Sequence, residues 1–93
     1  EEFEFDLLID EKVEVRVAAL RSVGITRPAQ WTVIMERSLK DDELLIQRIA
    51  VESLLNDRSK GFGILVKFAQ QNTDTPISAI IRTELARRNV LVP

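Results

Sequence analysis

The side chains that could do chemistry in this sequence are carboxylates, arginines and a single tryptophan. Histidine, cysteine and tyrosine are all absent. Their absence removes the usual general base, the thiolate nucleophile and the ligands that zinc prefers. The run Lys60-Gly61-Phe62-Gly63 lacks the length and the lysine–hydroxyl ending of a phosphate-binding loop. We therefore expect a protein that is not an enzyme and that holds neither a cofactor nor a metal.

The densest acidic cluster is Asp41-Asp42-Glu43. Carboxylates at the start of a helix stabilise it, because they oppose the positive end of the helix dipole. Binding of a hard metal ion is the alternative, but the spacing of an EF-hand is absent. The favoured interpretation is the start of a helix.

The only tryptophan, Trp31, falls on a predicted helix face with Ile34 and Met35. This apolar face predicts that Trp31 belongs to the core. The alternative is an anchor residue of a binding surface, where tryptophan is enriched.

The composition is that of one globular domain. The chain has 93 residues, of which 45% are hydrophobic and 30% are charged. Its apolar runs fall far short of the roughly 20 residues that a membrane helix needs. The lack of cysteine is compatible with a reducing compartment, and we predict a cytoplasmic location.

Charge is distributed unevenly along the chain. Residues 1–57 hold 13 acids and 7 bases, whereas residues 58–93 hold 2 acids and 6 bases. Such a gradient could steer a charged partner. Nucleic-acid binding normally needs a stronger basic bias than a net charge of −2 provides. It stays an alternative because of the bases near the C-terminus, which are Arg58, Lys60, Lys67, Arg82, Arg87 and Arg88.

The sequence also repeats itself. The shift that places Asp10 on Asp42 also places Arg16 on Arg48, and a weaker third copy begins at Asp74. Aliphatic residues coincide at the same shift: Val13, Leu45 and Ile77, then Val17, Ile49 and Ile81. The repeat period is the separation of Asp10 and Asp42 along the chain. A period of this length predicts stacked pairs of helices.

Apolar spacing predicts five helices and the end of a sixth. They cover about residues 11–23, 28–40, 43–55, 60–71 and 76–88, with a partial helix at 3–9. Gly24 and Asn56 suit the left-handed position that ends a helix. Ser59 could cap the fourth helix, and Thr75-Pro76 is a strong start for the fifth.

A strand is the alternative for two segments that alternate with period two, residues 3–5 and 13–17. The second segment lies inside a repeat whose next copy, residues 42–56, does not alternate. We therefore favour helix for it.

The run DEKVEVRVAALRSVG at residues 10–24 resembles the second helix of HEAT repeats, above all the short type named for phycobilisome lyases. The family pattern is an aspartate, then valine–arginine, alanines, an aliphatic residue and glycine. The matching residues are Asp10, Val15, Arg16, Ala18, Ala19, Val23 and Gly24. The second copy departs from the pattern at Gln47 and Asn56, and the third loses the arginine.

This resemblance implies an all-α fold, an α–α superhelix of about five helices plus a partial N-terminal helix, arranged in antiparallel pairs. The units would be about residues 1–24, 25–56 and 57–93 of a single domain, which we expect to be a segment of a longer solenoid. The resemblance also implies a structural ladder of aspartates and arginines. Its members would be Asp10, Arg16, Asp42, Arg48 and Asp74.

Helical-repeat solenoids present a concave surface lined by the second helix of each pair. We therefore expect a protein–protein interaction module or scaffold segment that binds another protein. The residues expected to be exposed on that surface are Glu14, Arg21, Gln47, Glu52, Ser78 and Arg82.

The resemblance leaves two alternatives open. One is an accessory role in the attachment or turnover of bilin chromophores on phycobiliproteins, and the other is a nucleic-acid-binding domain. Self-association through apolar faces at the open ends of the solenoid is also expected.

Overall fold

The computed structural model describes residues 5–93, which form helices and no strand. The helices are the 3₁₀ helix η1 (Phe5–Ile9) and the α-helices α1 (Val13–Thr26), α2 (Trp31–Ser38), α3 (Leu44–Leu55), α4 (Arg58–Gln71) and α5 (Pro76–Arg87). The predicted all-α class is confirmed, as is helix rather than strand for residues 13–17. The strand alternative for residues 3–5 falls mostly outside the described residues.

The helices pack in two layers. Helices α1, α3 and α5 lie side by side in one layer, and α2 and α4 contact each other in the second. Helix α3 contacts all four other α-helices, while η1 packs against α1. The described chain measures 38 × 25 × 18 Å along its principal axes.

The core lies between the two layers. Trp31 is only 5% exposed, so its predicted place in the core is confirmed. Every α-helix contributes at least one of the largest fully buried apolar side chains, and Leu39, just after α2, adds another. These side chains are Leu20, Met35, Leu39, Leu54, Leu65, Ile77, Ile81 and Leu85. Burial of each such side chain contributes about 1.5–3 kcal/mol, so the core supplies the main favourable term in folding.

Helix α1 does not end at Gly24 as predicted. It continues to Thr26, and the left-handed residue that ends it is Arg27, with φ of 48°. Gly24 serves another purpose inside the helix, because a Cβ there would lie only 2.8 Å from Oγ of Ser53 on α3. Asn56 also differs from expectation, since it ends α3 in a right-handed conformation.

Side chains cap the starts of the last two α-helices. Asp57, rather than the predicted Ser59, caps α4 by accepting a 3.0 Å hydrogen bond from the amide of Lys60. Ser59 instead donates its hydroxyl to the Asp57 carboxylate. Thr75 caps α5 as predicted and is followed by proline in the first turn. Each cap satisfies an amide that has no partner within its own helix.

The structure repeats at an interval one residue shorter than the interval between the matched aspartates of the sequence. The aromatic residues Trp31 and Phe62 occupy the same buried position on α2 and α4, and they define this Trp31–Phe62 interval. An arginine lies over each of their rings, Arg27 at 4.4 Å and Arg58 at 4.7 Å from the ring centroid. Buried positions of the other layer follow the same interval: Ala19, Ala50 and Ile81, then Val23, Leu54 and Leu85. One residue rotates a helix face by about 100°, so this difference changes which residues are equivalent.

Arg27 joins three helix ends. Its guanidinium stacks on Trp31 at the start of α2 and forms a 3.3 Å ion pair with Asp57 at the start of α4. The hydrogen bond from the Lys60 amide, the hydroxyl of Ser59 and the charge of Arg27 together lower the pKa of Asp57, with burial opposing them. This junction therefore favours the ionised carboxylate in the folded state.

Replacing Asp57 by asparagine should destabilise the protein at neutral pH, and the deficit should disappear in acid. The folded-state pKa of Asp57 lies below the ordinary value for an aspartate, which is 3.8. Its charge therefore contributes stability above that value, and the contribution is lost as the pH falls through the folded-state pKa. Denaturant unfolding followed by Trp31 fluorescence at several pH values measures this.

Asp74→Asn is the control, since Asp74 is exposed and forms no ion pair with any described residue. A deficit independent of pH would contradict the assignment.

Two glycines of α4 provide a matched pair of alanine substitutions. A Cβ at Gly61 would overlap the backbone carbonyl of Leu54, whereas a Cβ at Gly63 would meet open space. We expect Gly61→Ala to destabilise the fold by at least about 2 kcal/mol. Gly63→Ala should stabilise it by about 0.5–1 kcal/mol, because alanine favours helix. Urea unfolding of both variants tests this, and equal effects would refute the close approach of α3 and α4.

Candidate binding groove

The structure does not bring the six predicted binding residues together on one exposed face. Glu14, Arg21 and Glu52 are exposed as expected. Ser78 is completely buried, so its predicted exposure is wrong. The remaining two residues, Gln47 and Arg82, are half-buried.

The half-buried residues are engaged with the backbone. Gln47 donates its amide to the carbonyl of Leu39 at 3.2 Å. Arg82 donates to the carbonyl of Ala69 at 3.2 Å and to that of Val92 at 3.5 Å. The bond of Gln47 holds the segment between α2 and α3, and the bonds of Arg82 tie α5 to α4 and to the residues after α5. Both side chains therefore have a structural role.

The error at Ser78 follows from the difference of one residue between the Asp10–Asp42 and Trp31–Phe62 intervals. At the true, shorter interval Arg16, Gln47 and Ser78 are equivalent, and each bonds to the segment before its own helix. Arg16 donates to the carbonyl of Asp10 at 2.8 Å, and the hydroxyl of Ser78 bonds with that of Thr75 at 2.9 Å. This position serves the fold in all three units.

The predicted ladder exists at one rung. Arg16, with only 13% of its side chain exposed, pairs with Asp41 at 3.3 Å and with Asp42 at 3.7 Å. Asp10 and Asp41 are the equivalent aspartates, because each accepts a hydrogen bond from the amide two residues later, at 2.8 and 2.9 Å. The ion pairs predicted for the second and third repeats are wrong: within residues 5–93, neither Arg48 nor Asp74 forms an ion pair.

A groove of about 390 Å³ lies between α3 and α5, on the layer expected to bind a partner. Its apolar lining comes from Val51, Leu55 and Ile80. The polar side chains of its rims are Arg48, Glu52 and Asn56 from α3, and Glu84 and Arg88 from α5. Of these lining residues, only Glu52 belongs to the six predicted binding residues, whereas Arg48 was assigned to the ladder.

The size of the side chains explains why the groove lies here. Helices α1 and α3 approach closely because Gly24 meets Ser53. At the equivalent positions of the α3–α5 junction the chain has Leu55 and Glu84. These larger residues keep the helices apart, and α3 packs less closely against α5 than against α1. The spacing of the buried apolar residues is the signal that could have revealed this junction from the sequence.

The two rims differ in how their charges are satisfied. On α5, Glu84 pairs with Arg88 at 3.0 Å and with Arg87 at 3.4 Å. On α3, Arg48 and Glu52 are exposed and form no ion pair within the described chain. The groove therefore combines an apolar floor with two available charges of opposite sign.

A second, smaller pit of about 230 Å³ lies between η1 and α2. Its lining includes Leu8, Ile34, Arg37 and Ile9, which is 74% exposed. At the equivalent of Arg37 in the next unit, Phe68 is 6% exposed and belongs to the core. An arginine in place of the aromatic residue leaves this end of the molecule less filled.

Within residues 5–93, no group of three or more acidic side chains is placed to hold a metal ion. The alternative of metal binding at Asp41-Asp42-Glu43 thus has no support from geometry, and Asp41 instead pairs with Arg16. None of the described helices is long and apolar enough to cross a membrane.

Comparison with known protein families, with characterised proteins and with solved structures found no match to this chain. The resemblance to HEAT repeats stays a prediction, and it now depends on the Asp10–Arg16 unit and on the two-layer packing of the helices.

The two arginines of the predicted ladder should differ sharply in their effect on stability. Arg16→Ala removes a nearly buried side chain with charged and backbone partners, so we expect a loss of about 2 kcal/mol. Arg48→Ala should change stability by less than about 0.5 kcal/mol, because its side chain is exposed. Chemical denaturation of both variants measures the difference. Equal losses would support a ladder at the longer, Asp10–Asp42 interval.

Proposed function

We propose that this chain is a protein–protein interaction module, or a segment of a scaffold, that binds its partner through the layer formed by α1, α3 and α5. The observation that carries the proposal is the α3–α5 groove, with its apolar lining and the available charges of Arg48 and Glu52. Protein interfaces combine a desolvated apolar centre with a polar rim. The groove has this combination on an exposed face of the fold.

The charges of the groove favour a protein over a nucleic acid. Its rims carry two arginines and two glutamates, so they provide no continuous basic surface for phosphates. The basic residues near the C-terminus are also partly engaged. Arg87 and Arg88 pair with Glu84, and Arg82 bonds to backbone carbonyls.

The HEAT-like superhelix is part of the same proposal. Support comes from the equivalent positions of three successive units and from the two helical layers. Stacked units of this kind bury a continuous core and leave one layer available as a binding surface. A cytoplasmic location also belongs to the proposal, on the basis of the cysteine-free sequence.

Capture of binding proteins from a native lysate, compared between groove variants and a control, tests the function. Arg48→Glu and Glu52→Lys change exposed residues of the groove, and Lys67→Glu changes an exposed residue of α4 in the other layer. We expect a stoichiometric protein partner that Lys67→Glu retains and that both groove variants bind several-fold more weakly. Equal capture by all variants would overturn the proposal, as would capture of nuclease-sensitive material alone.

A further inference from the structure

We infer that the segment bound in the α3–α5 groove is an amphipathic helix of the partner protein. It presents two apolar side chains one turn apart, between one acidic and one basic residue. This inference rests on the proposed function and specifies the kind of partner. It follows from the volume of the groove, the chemistry of its walls and the charges on its rims.

The volume of the groove sets the number of apolar side chains. A cavity of about 150 Å³ accommodates one benzene molecule, so about 390 Å³ accommodates roughly two groups of that size. The α3 rim runs from Arg48 to Asn56, which is about 12 Å along a helix. A helix places residues four positions apart on one face, about 6 Å from each other. Two such side chains therefore match both the volume and the length.

The walls of the groove favour a helix over an extended strand. An extended peptide gains affinity by pairing its backbone with the edge of a sheet. Both walls here are α-helices, whose interior backbone groups are hydrogen-bonded within the helix, and residues 5–93 contain no strand. A strand in this groove would leave its own backbone groups without partners, whereas a helix satisfies them internally.

The charges on the rims determine which helix fits. Glu84 and Arg88 already neutralise each other on α5. Arg48 and Glu52 lie one turn apart on α3, and neither has an ion-pair partner among the described residues. A partner helix with one carboxylate and one ammonium group pairs with both of them. A helix with two like charges pairs with one and is repelled by the other.

Three synthetic helical peptides test the inference directly. Each carries two leucines four residues apart, flanked by glutamate and lysine in the first peptide, by two glutamates in the second and by two lysines in the third. The peptide direction need not be known, because the mixed peptide can lie in the one direction that pairs it with both Arg48 and Glu52, whereas neither like-charged peptide can pair with both in any direction. Fluorescence anisotropy of each labelled peptide with the full chain gives the affinities.

We expect the mixed peptide to bind about threefold or more tightly than either of the others, as expected for exposed charge pairs. Arg48→Glu makes the α3 rim wholly acidic and should transfer the preference to the peptide with two lysines. Lys67→Glu, which is outside the groove, should leave the order unchanged. Circular dichroism checks that each variant keeps its helices.

Equal affinity of the three peptides, or an order that Arg48→Glu does not alter, would overturn the inference. Absence of binding by all three would also overturn it. If the native partner is still captured through the groove in that case, the proposed function stands and the bound segment is not a helix of this kind. If the native partner is insensitive to groove variants, the proposed function fails as well.

Discussion

The position of α3 is the constraint on which the rest of this structure depends. Every other α-helix contacts it, and different residues make the close contacts on each side. On one side Gly61 of α4 meets the backbone of Leu54, where a side chain would overlap the carbonyl. On another side Gly24 of α1 meets Ser53. Close approach at a glycine fixes the helices more tightly than contact between long, flexible side chains can, because interiors are densely packed and relax little.

The groove is a consequence of the same constraint. Where small residues face each other, as at Gly24 and Ser53, the helices approach closely. Where Leu55 and Glu84 stand at the equivalent positions, the helices cannot close to that distance. The proposed binding surface thus lies at the junction where the chain departs from its own repeat.

The sequence predicted the positions of the helices better than it predicted which residues of successive helix pairs are equivalent. The all-α class, five α-helices, the cap at Thr75 and the buried Trp31 all agree with the structure. These features depend on local spacing and capping, which a single sequence contains. The interval of the repeat rests on matches between aspartates, between arginines and between a few aliphatic residues, and it differs by one residue from the interval of the buried positions.

The slip of one residue had large effects on the predicted site. Because it rotates a helix face by about 100°, it assigned exposure to Ser78 and an ion pair to Arg48. It also concealed the junction at Leu55. Burial follows the apolar side chains, and their alignment at the shorter interval, as for Trp31 with Phe62, outweighs matches between charged residues. Surface charges coincide by chance more readily, because little in the packing constrains them.

Under the proposed function, affinity and selectivity have separate sources in this groove. The apolar lining combines Val51 and Leu55 of α3 with Ile80 of α5, and Val51 is also part of the core. Changing that lining would alter how tightly any segment is held, and it would disturb the fold as well. The available charges stand on α3 alone and are exposed, so they can vary without a cost in packing.

Charges of this kind select among partners mainly by rejecting mismatched ones. Under the same proposal, the exposed turn from Arg48 to Glu52 is where partner choice can change, while the packing that contacts such as that of Gly61 fix stays the same.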